Sequence, residues 1–211
     1  MFGLPSARDL AILIPVFLMA LTVHEFAHAW VADRLGDATA RLRGRLTLNP
    51  LPHLDPIGTL AILFLGFGWA RPVPVDGRSF RHPRRDFMLV AAAGPASNLL
   101  LAAIMAFLFE MLPWRTVGQE WHWLALPVYS MLRAGVSINV LLMVFNLLPV
   151  PPLDGSRVLA GLLPVRQALT YSRLEPYGFL IIFLLSFSGL LGPIYRMAVR
   201  PITLALFMMW G

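Results

Sequence analysis

The sequence predicts an all-α polytopic membrane protein: a three-helix core with a short re-entrant or β segment, followed by one to three further C-terminal membrane helices. Three observations predict it. Of 211 residues, 58% are hydrophobic and only 13% charged, and the mean hydropathy is +0.71, outside the range of soluble domains. The apolar residues gather in runs long enough to cross a hydrocarbon core of about 30 Å. The 17 basic residues, all arginine, fall largely in the short connections between those runs, as the positive-inside rule expects. That placement argues against nucleic acid as a partner despite a formal charge of +6. Cysteine is absent, so there is no disulfide framework and the redox compartment stays open.

The first span runs from about Leu10 to Ala32 and is followed by Arg34, Arg41, Arg43 and Arg45, which places its C-terminal end in the cytoplasm and the N-terminus outside. "AHA" at Ala27–Ala29 resembles a signal-peptide cleavage site, but cleavage there would discard the most unusual residues of the chain. The apolar piece Ile57–Trp69 is too short to span comfortably. Arginines flank it on both sides, so it reads as re-entrant. "ARPVPV" at 70–75 then reads as an edge strand, where proline is tolerated, and as a docking edge for an extended partner.

The second span, Phe87 to about Leu112, passes outward, and "WHW" marks the far interface. The third, Ala134 to about Leu148, returns inward and is stopped by Pro149, Pro151 and Pro152. Asp154 is then placed to cap a short helix. Tyr177–Leu191 is apolar enough to span, and Ile202–Trp210 is a further span or an interfacial segment. No repeat or low-complexity tract divides the chain, which reads as one membrane-embedded domain over 1–211, with its core at about 10–163 and C-terminal membrane segments at about 177–211.

The chemistry concentrates in "LTVHEFAHAW", Leu21–Trp30. Ionisable residues at membrane depth are costly and call for a function. His24 and His28 lie four apart, so a helix projects both imidazoles from one face and they can share a metal ion, with Glu25 beside them to act on bound water. A catalytic zinc site needs a third protein ligand and an open position. Glu25 and Asp154 stand out among the 11 acidic residues by their apolar settings. Spans one and three both run inward, so the histidines and Asp154 converge in depth. His53 and Asp55, in "NPLPHLDP", are the rivals on the same side, although a turn rich in proline and asparagine suits them better as braces. His122 is placed on the outer side and His82 in a solvated connection.

From Val23 to at least Leu159 the chain carries "HEFAH", "NPLPHLDPIGT", "FGWARPVPV", "AGPASNLLLA" and "FNLLPVPPLDGSRVL", in that order. This series resembles the site-2 protease family of intramembrane zinc metalloproteases. The resemblance implies one zinc ion per chain, bound by His24, His28 and Asp154, with Glu25 as catalytic base. It also implies that Gly94 and Asn98 of the GxxxN motif and Asn146 of "FNLLP" lie near the active site and help orient substrate. The activity it implies is regulated intramembrane proteolysis: hydrolysis of peptide bonds within or next to transmembrane segments. The expected substrates are single-pass membrane proteins or signal-peptide remnants, met in the lipid bilayer. The expected location is the cytoplasmic (inner) cell membrane, with the active site toward the cytoplasm. No PDZ or CBS domain is recognisable, so the chain looks like a minimal form; its oligomeric state is open. A metal-binding transporter would instead show repeated halves or a path of polar residues, and an inactive homologue that only binds membrane helices would show a damaged motif. Neither is seen.

Overall fold

The computed structural model describes residues 6–58, 69–112 and 118–210. Helix α1 (Ala7–Arg34) starts at a capping box: the Ser6 hydroxyl accepts the Asp9 amide at 3.2 Å, and the Asp9 carboxylate accepts the Ser6 amide at 3.1 Å. A one-turn helix, α2 (Thr39–Leu42), follows. Helix α3 (Pro83–Met111) opens on proline, whose missing amide costs nothing at the first helical position. Asp86 in its first turn accepts the His82 amide at 2.9 Å.

Helix α4 (His122–Asn146) is longer than the expected third span, which began at Ala134. Pro127 sits near its start and forfeits a single backbone bond there, so the apolar stretch from Leu124 onward stays helical. Trp121 and Trp123 are exposed beside this end, 56% and 72%. At a rise of about 1.5 Å per residue, the 28, 29 and 25 residues of α1, α3 and α4 give lengths of about 38 to 44 Å, more than the hydrocarbon core requires.

These three elements are long and apolar enough to cross a membrane, with mean hydropathies of 2.0, 1.8 and 1.7 in their best windows, of which only 28%, 33% and 28% is buried inside the protein. The remaining apolar surface faces outward, the arrangement expected where lipid is the solvent. The chain is a multi-pass membrane protein. Its bundle core is Ala102, Met105 and Ala106 of α3 against Val136, Val140 and Met143 of α4, closed by Val199 and Leu206. Alanine at these contacts lets the backbones approach closely.

Helix α5 (Asp154–Leu162) leads to α6 (Val165–Ser172), α7 (Gly178–Phe187), α8 (Leu191–Ile194) and α9 (Arg200–Met208), the last two joined by a π turn. The expected C-terminal spans take the form of one bent pair: 165–187 and 191–208 meet at 79°, with Gly189 at positive φ in the break.

The re-entrant expectation, Ile57–Trp69, falls for the most part on 59–68, outside the described residues. Trp69 at its end packs edge-to-face on Phe179 at 4.9 Å. The expected edge strand is corrected. Among the described residues the β pairing is one isolated antiparallel bridge, Leu54 to Ala70. The Arg71 amide donates to the His53 carbonyl at 2.9 Å, Pro72 and Pro74 have no amide, and the Val73 amide is taken by Glu25. No free donor is left from Arg71 to Pro74 for an extended partner to pair with.

Candidate metal centre

α1 and α3 pack antiparallel, and the i, i+4 rows of the two face each other: His24 and His28 against Val90, Gly94 and Asn98. The His28 Nδ1 lies 2.7 Å from the Val90 carbonyl, and the His24 Nδ1 lies 2.6 Å from the Asn98 Oδ1. Gly94 stands between them. A Cβ there would fall 2.4 Å from the His28 Nε2 and 2.6 Å from the His24 Nε2, so only glycine leaves room for both rings.

Asp154 arrives from the opposite direction. It is the first residue of α5, not its cap: Leu153 holds the cap position, and no side chain caps this helix. Its carboxylate instead turns to the imidazoles, Oδ2 lying 3.0 Å from the His24 Nε2 and 3.2 Å from the His28 Nε2. The approach depends on Gly155, where a Cβ would meet the Leu147 and Leu148 carbonyl oxygens at 2.2 and 2.5 Å.

Hydrogen-bond logic then fixes the character of this triangle. A carbonyl oxygen can only accept, so the His28 Nδ1 must carry the proton that Val90 receives. The Asn98 Nδ2 donates to the Ala20 carbonyl at 3.1 Å, which identifies its other atom as oxygen and the His24 Nδ1 as donor. Neutral imidazoles so arranged leave both Nε2 atoms bare. They lie 3.0 Å apart, and the Asp154 Oδ2 is buried with no hydrogen-bond donor. Three lone-pair atoms this close repel one another unless a cation lies among them. Tetrahedral zinc with ligands at about 2.0–2.2 Å would set its ligand atoms about 3.3–3.6 Å apart, a few tenths of an ångström wider than the 3.0–3.2 Å observed. The donor set therefore fits a zinc ion. Among the described residues this is the one cluster of three such ligands.

Glu25, 8% exposed, follows His24 on α1, and its Oε2 accepts the Val73 amide at 3.2 Å. Arg45 lies nearby, its guanidinium on the Arg71 carbonyl at 2.5 Å. Burial pulls that guanidinium below its ordinary range and the Glu25 carboxylate opposes the shift, while Arg71 adds to it. The Val73 bond thus holds the 70–76 segment against the acid, and the part-buried Arg45 contact ties the same segment at Arg71.

The other expected residues divide. Asn98 is fully buried behind His24, with its carboxamide engaged on His24, Ala20 and Asn139. Asn146 is half-buried at the end of α4 and donates to the Leu142 carbonyl at 3.0 Å. His53 lies outside the cluster, fully buried, with its Nε2 on the Thr47 carbonyl at 2.9 Å. Asp55 caps the Gly58 amide at 2.8 Å. Both brace the turn. His82 precedes α3, and His122 starts α4. The contacts that sequence reasoning missed are the Val90 carbonyl, the Val73 amide and Asn139. The first two belong to the backbone; only Asn139, a polar residue amid an apolar span, left a signal.

The model of the family described as Peptidase family M50 matches residues 118–189, which include α4 and Asp154. The chain is 45% identical over 185 residues to the Bacillus subtilis protein named "Putative zinc metalloprotease YwhC", a match covering 85% of this chain and 81% of that protein. It is 34% identical over 197 residues to the Mycobacterium tuberculosis protein named "Putative zinc metalloprotease Rip2", covering 86% and 68%. With the protein of the same name from Mycolicibacterium smegmatis, identity is 32% over 183 residues, covering 82% and 66%. No solved structure matches significantly.

Proposed function

The chain belongs to the site-2 protease family, peptidase family M50, and is a metalloprotease; from that premise we propose that it holds one zinc ion on His24, His28 and Asp154 and cuts peptide bonds within or next to transmembrane segments of other membrane proteins. The observation that carries this reading is the acceptor-only triangle of the His24 Nε2, His28 Nε2 and Asp154 Oδ2, with the Glu25 carboxylate beside it.

A bound zinc ion would supply Lewis-acid polarisation of the scissile carbonyl and acidify the attacking water. Glu25 takes a proton from that water as its oxygen adds to the carbonyl carbon, and returns the proton to the amine as the C–N bond breaks. The Val73 amide pins Oε2 and so reserves proton exchange for Oε1. Asn98 and Val90 hold the ligand histidines in the tautomer that leaves Nε2 free. Gly94 makes room for the two ligand imidazoles, and Asn146, half-buried at the end of α4, serves substrate orientation.

The bilayer supplies the substrate class. A chain that is apolar on most of its span surfaces meets its substrates laterally, as single-pass proteins or signal-peptide remnants, and regulated intramembrane proteolysis is the activity that follows. The substrate must unwind locally, because a helical peptide bond is hidden by its own hydrogen bonds. The arginines beyond α1 support a site toward the cytoplasmic face of the cell membrane.

The test is zinc content and cleavage of a model transmembrane substrate by purified protein. Glu25→Gln is expected to keep zinc and lose cleavage, whereas Asp154→Asn binds zinc more weakly. Undiminished cleavage by Glu25→Gln overturns the mechanism.

A further inference from the structure

Asn139 sits in the apolar middle of α4 and is fully buried. A carboxamide at that depth is costly unless every donor and acceptor is matched, and here all are. Its Nδ2 donates to the Gly135 carbonyl at 2.9 Å and points to the Met105 sulfur at 3.7 Å. Its Oδ1 accepts the Asn98 Nδ2 at 2.8 Å.

The bonding continues in one direction. Asn98 spends its two N–H groups on Asn139 and on the Ala20 carbonyl, and offers its oxygen to the His24 Nδ1. Turning the Asn98 amide over would set its oxygen against two acceptors and its NH2 against the His24 N–H. Asn139 opposes that flip from α4, a helix that supplies none of the three ligand atoms. His28 needs no such support, because its Nδ1 rests on a backbone carbonyl that cannot turn over.

We propose that Asn139 is a positioning residue of the metal centre: acting through Asn98, it fixes the tautomer and direction of His24, so that α4 tunes a ligand carried by α1. The inference rests on the reading of His24 as a zinc ligand. Its rival is that Asn139 only ties α3 to α4, as polar residues commonly do between membrane helices. A purely structural tie would change stability and leave the ligand field alone.

The experiment uses the full chain in detergent micelles and reads zinc affinity by chelator competition and the visible absorption spectrum of the cobalt-loaded protein. Asn139→Leu is expected to weaken zinc about tenfold or more, the range for groups that orient a ligand, and to shift the cobalt bands. Asn139→Asp, which when protonated can present the same acceptor to Asn98 and a donor to Gly135, restores both. Ser130→Leu, which removes a hydroxyl bonded only to its own helix at the Leu126 carbonyl, changes neither. Losses from Asn139→Leu and Asn98→Ala combine to no more than the Asn98→Ala loss alone, because one acts through the other. Should Asn139→Leu fail to fold, Asn139→Ser, too short to reach Asn98, makes the same test. Wild-type affinity and spectrum in a folded Asn139→Leu or Asn139→Ser variant, or fully additive losses, overturn the inference. Failure of the wild-type protein to bind zinc or cobalt would instead overturn the metal site itself.

Discussion

The two sides of the metal centre are built differently. On one side, α1 and α3 hold His24 and His28 by hydrogen bonds to Asn98 and Val90, inside a packed bundle. On the other, Asp154 is delivered where a connection passes tightly over the end of α4, and Glu25 is held by an extended segment. Each side contains one glycine that cannot accept a Cβ. At Gly94 the obstructing atoms are the tips of imidazoles, which can swing away; at Gly155 they are backbone carbonyls, which cannot. The same substitution should therefore damage metal binding on one side and the fold on the other.

Gly94→Ala should give the larger change in metal affinity. Alanine in a helix interior is favoured over glycine by roughly 0.5–1 kcal/mol, so α3 itself loses nothing. The methyl, however, falls 2.4 and 2.6 Å from the two Nε2 atoms, and the rings must rotate out of the triangle. Zinc affinity should drop by about a hundredfold or more, beyond the usual effect of losing an orienting group, with a smaller loss of thermal stability in the metal-free protein, from the Nδ1 bonds the rotating rings give up. Chelator competition and thermal unfolding measure the two quantities. Wild-type zinc affinity in this variant would mean that the ion does not sit between these rings.

Gly155→Ala should reverse the balance. Its methyl meets two carbonyl oxygens at 2.2 and 2.5 Å, so the backbone joining α4 to α5 must move. Overpacking of this kind costs about 1–3 kcal/mol, and the shift carries Asp154 with it. Stability of the metal-free protein should fall by about that amount, and zinc affinity by roughly tenfold through the displaced third ligand. A variant that loses zinc with no loss of stability would show that the connection is more pliable than its carbonyl contacts imply.

The difference between the two sides also governs what the sequence discloses. The four-residue spacing of His24 and His28 declares a shared helical face, and the matching depth of Asp154 needs only the direction of two spans. Glycine at 94 is bland on its own, and its place between the rings follows only once α1 and α3 are packed. Asn139 carries a weak signal, since an uncharged amide in a span is ordinary interhelical glue. The Val90 carbonyl and the Val73 amide carry none, because every residue but proline has both groups. The expected third span begins at Ala134, beyond the interfacial "WHW", whereas the helix is already formed from His122. "ARPVPV" is extended as its prolines require, but its donors answer to Glu25 and His53, partners fixed only by tertiary structure.

His53 makes the smallest and sharpest test. It sits on the connection side, fully buried, and fastens two pieces of chain: its ring bonds the Thr47 carbonyl, and its own carbonyl accepts the Arg71 amide. Segment 70–76 continues from there to the Val73 amide on Glu25. Glutamine can place its side-chain N–H2 near the position of the imidazole Nε2, so His53→Gln should keep the bond to Thr47 while packing less well, at a cost of about 1 kcal/mol. Zinc affinity should stay within about twofold of wild type, since no ligand is touched, and cleavage should fall only a few-fold as the hold on Glu25 loosens. A tenfold loss of zinc would instead put His53 in contact with the metal and dissolve the division between the two sides.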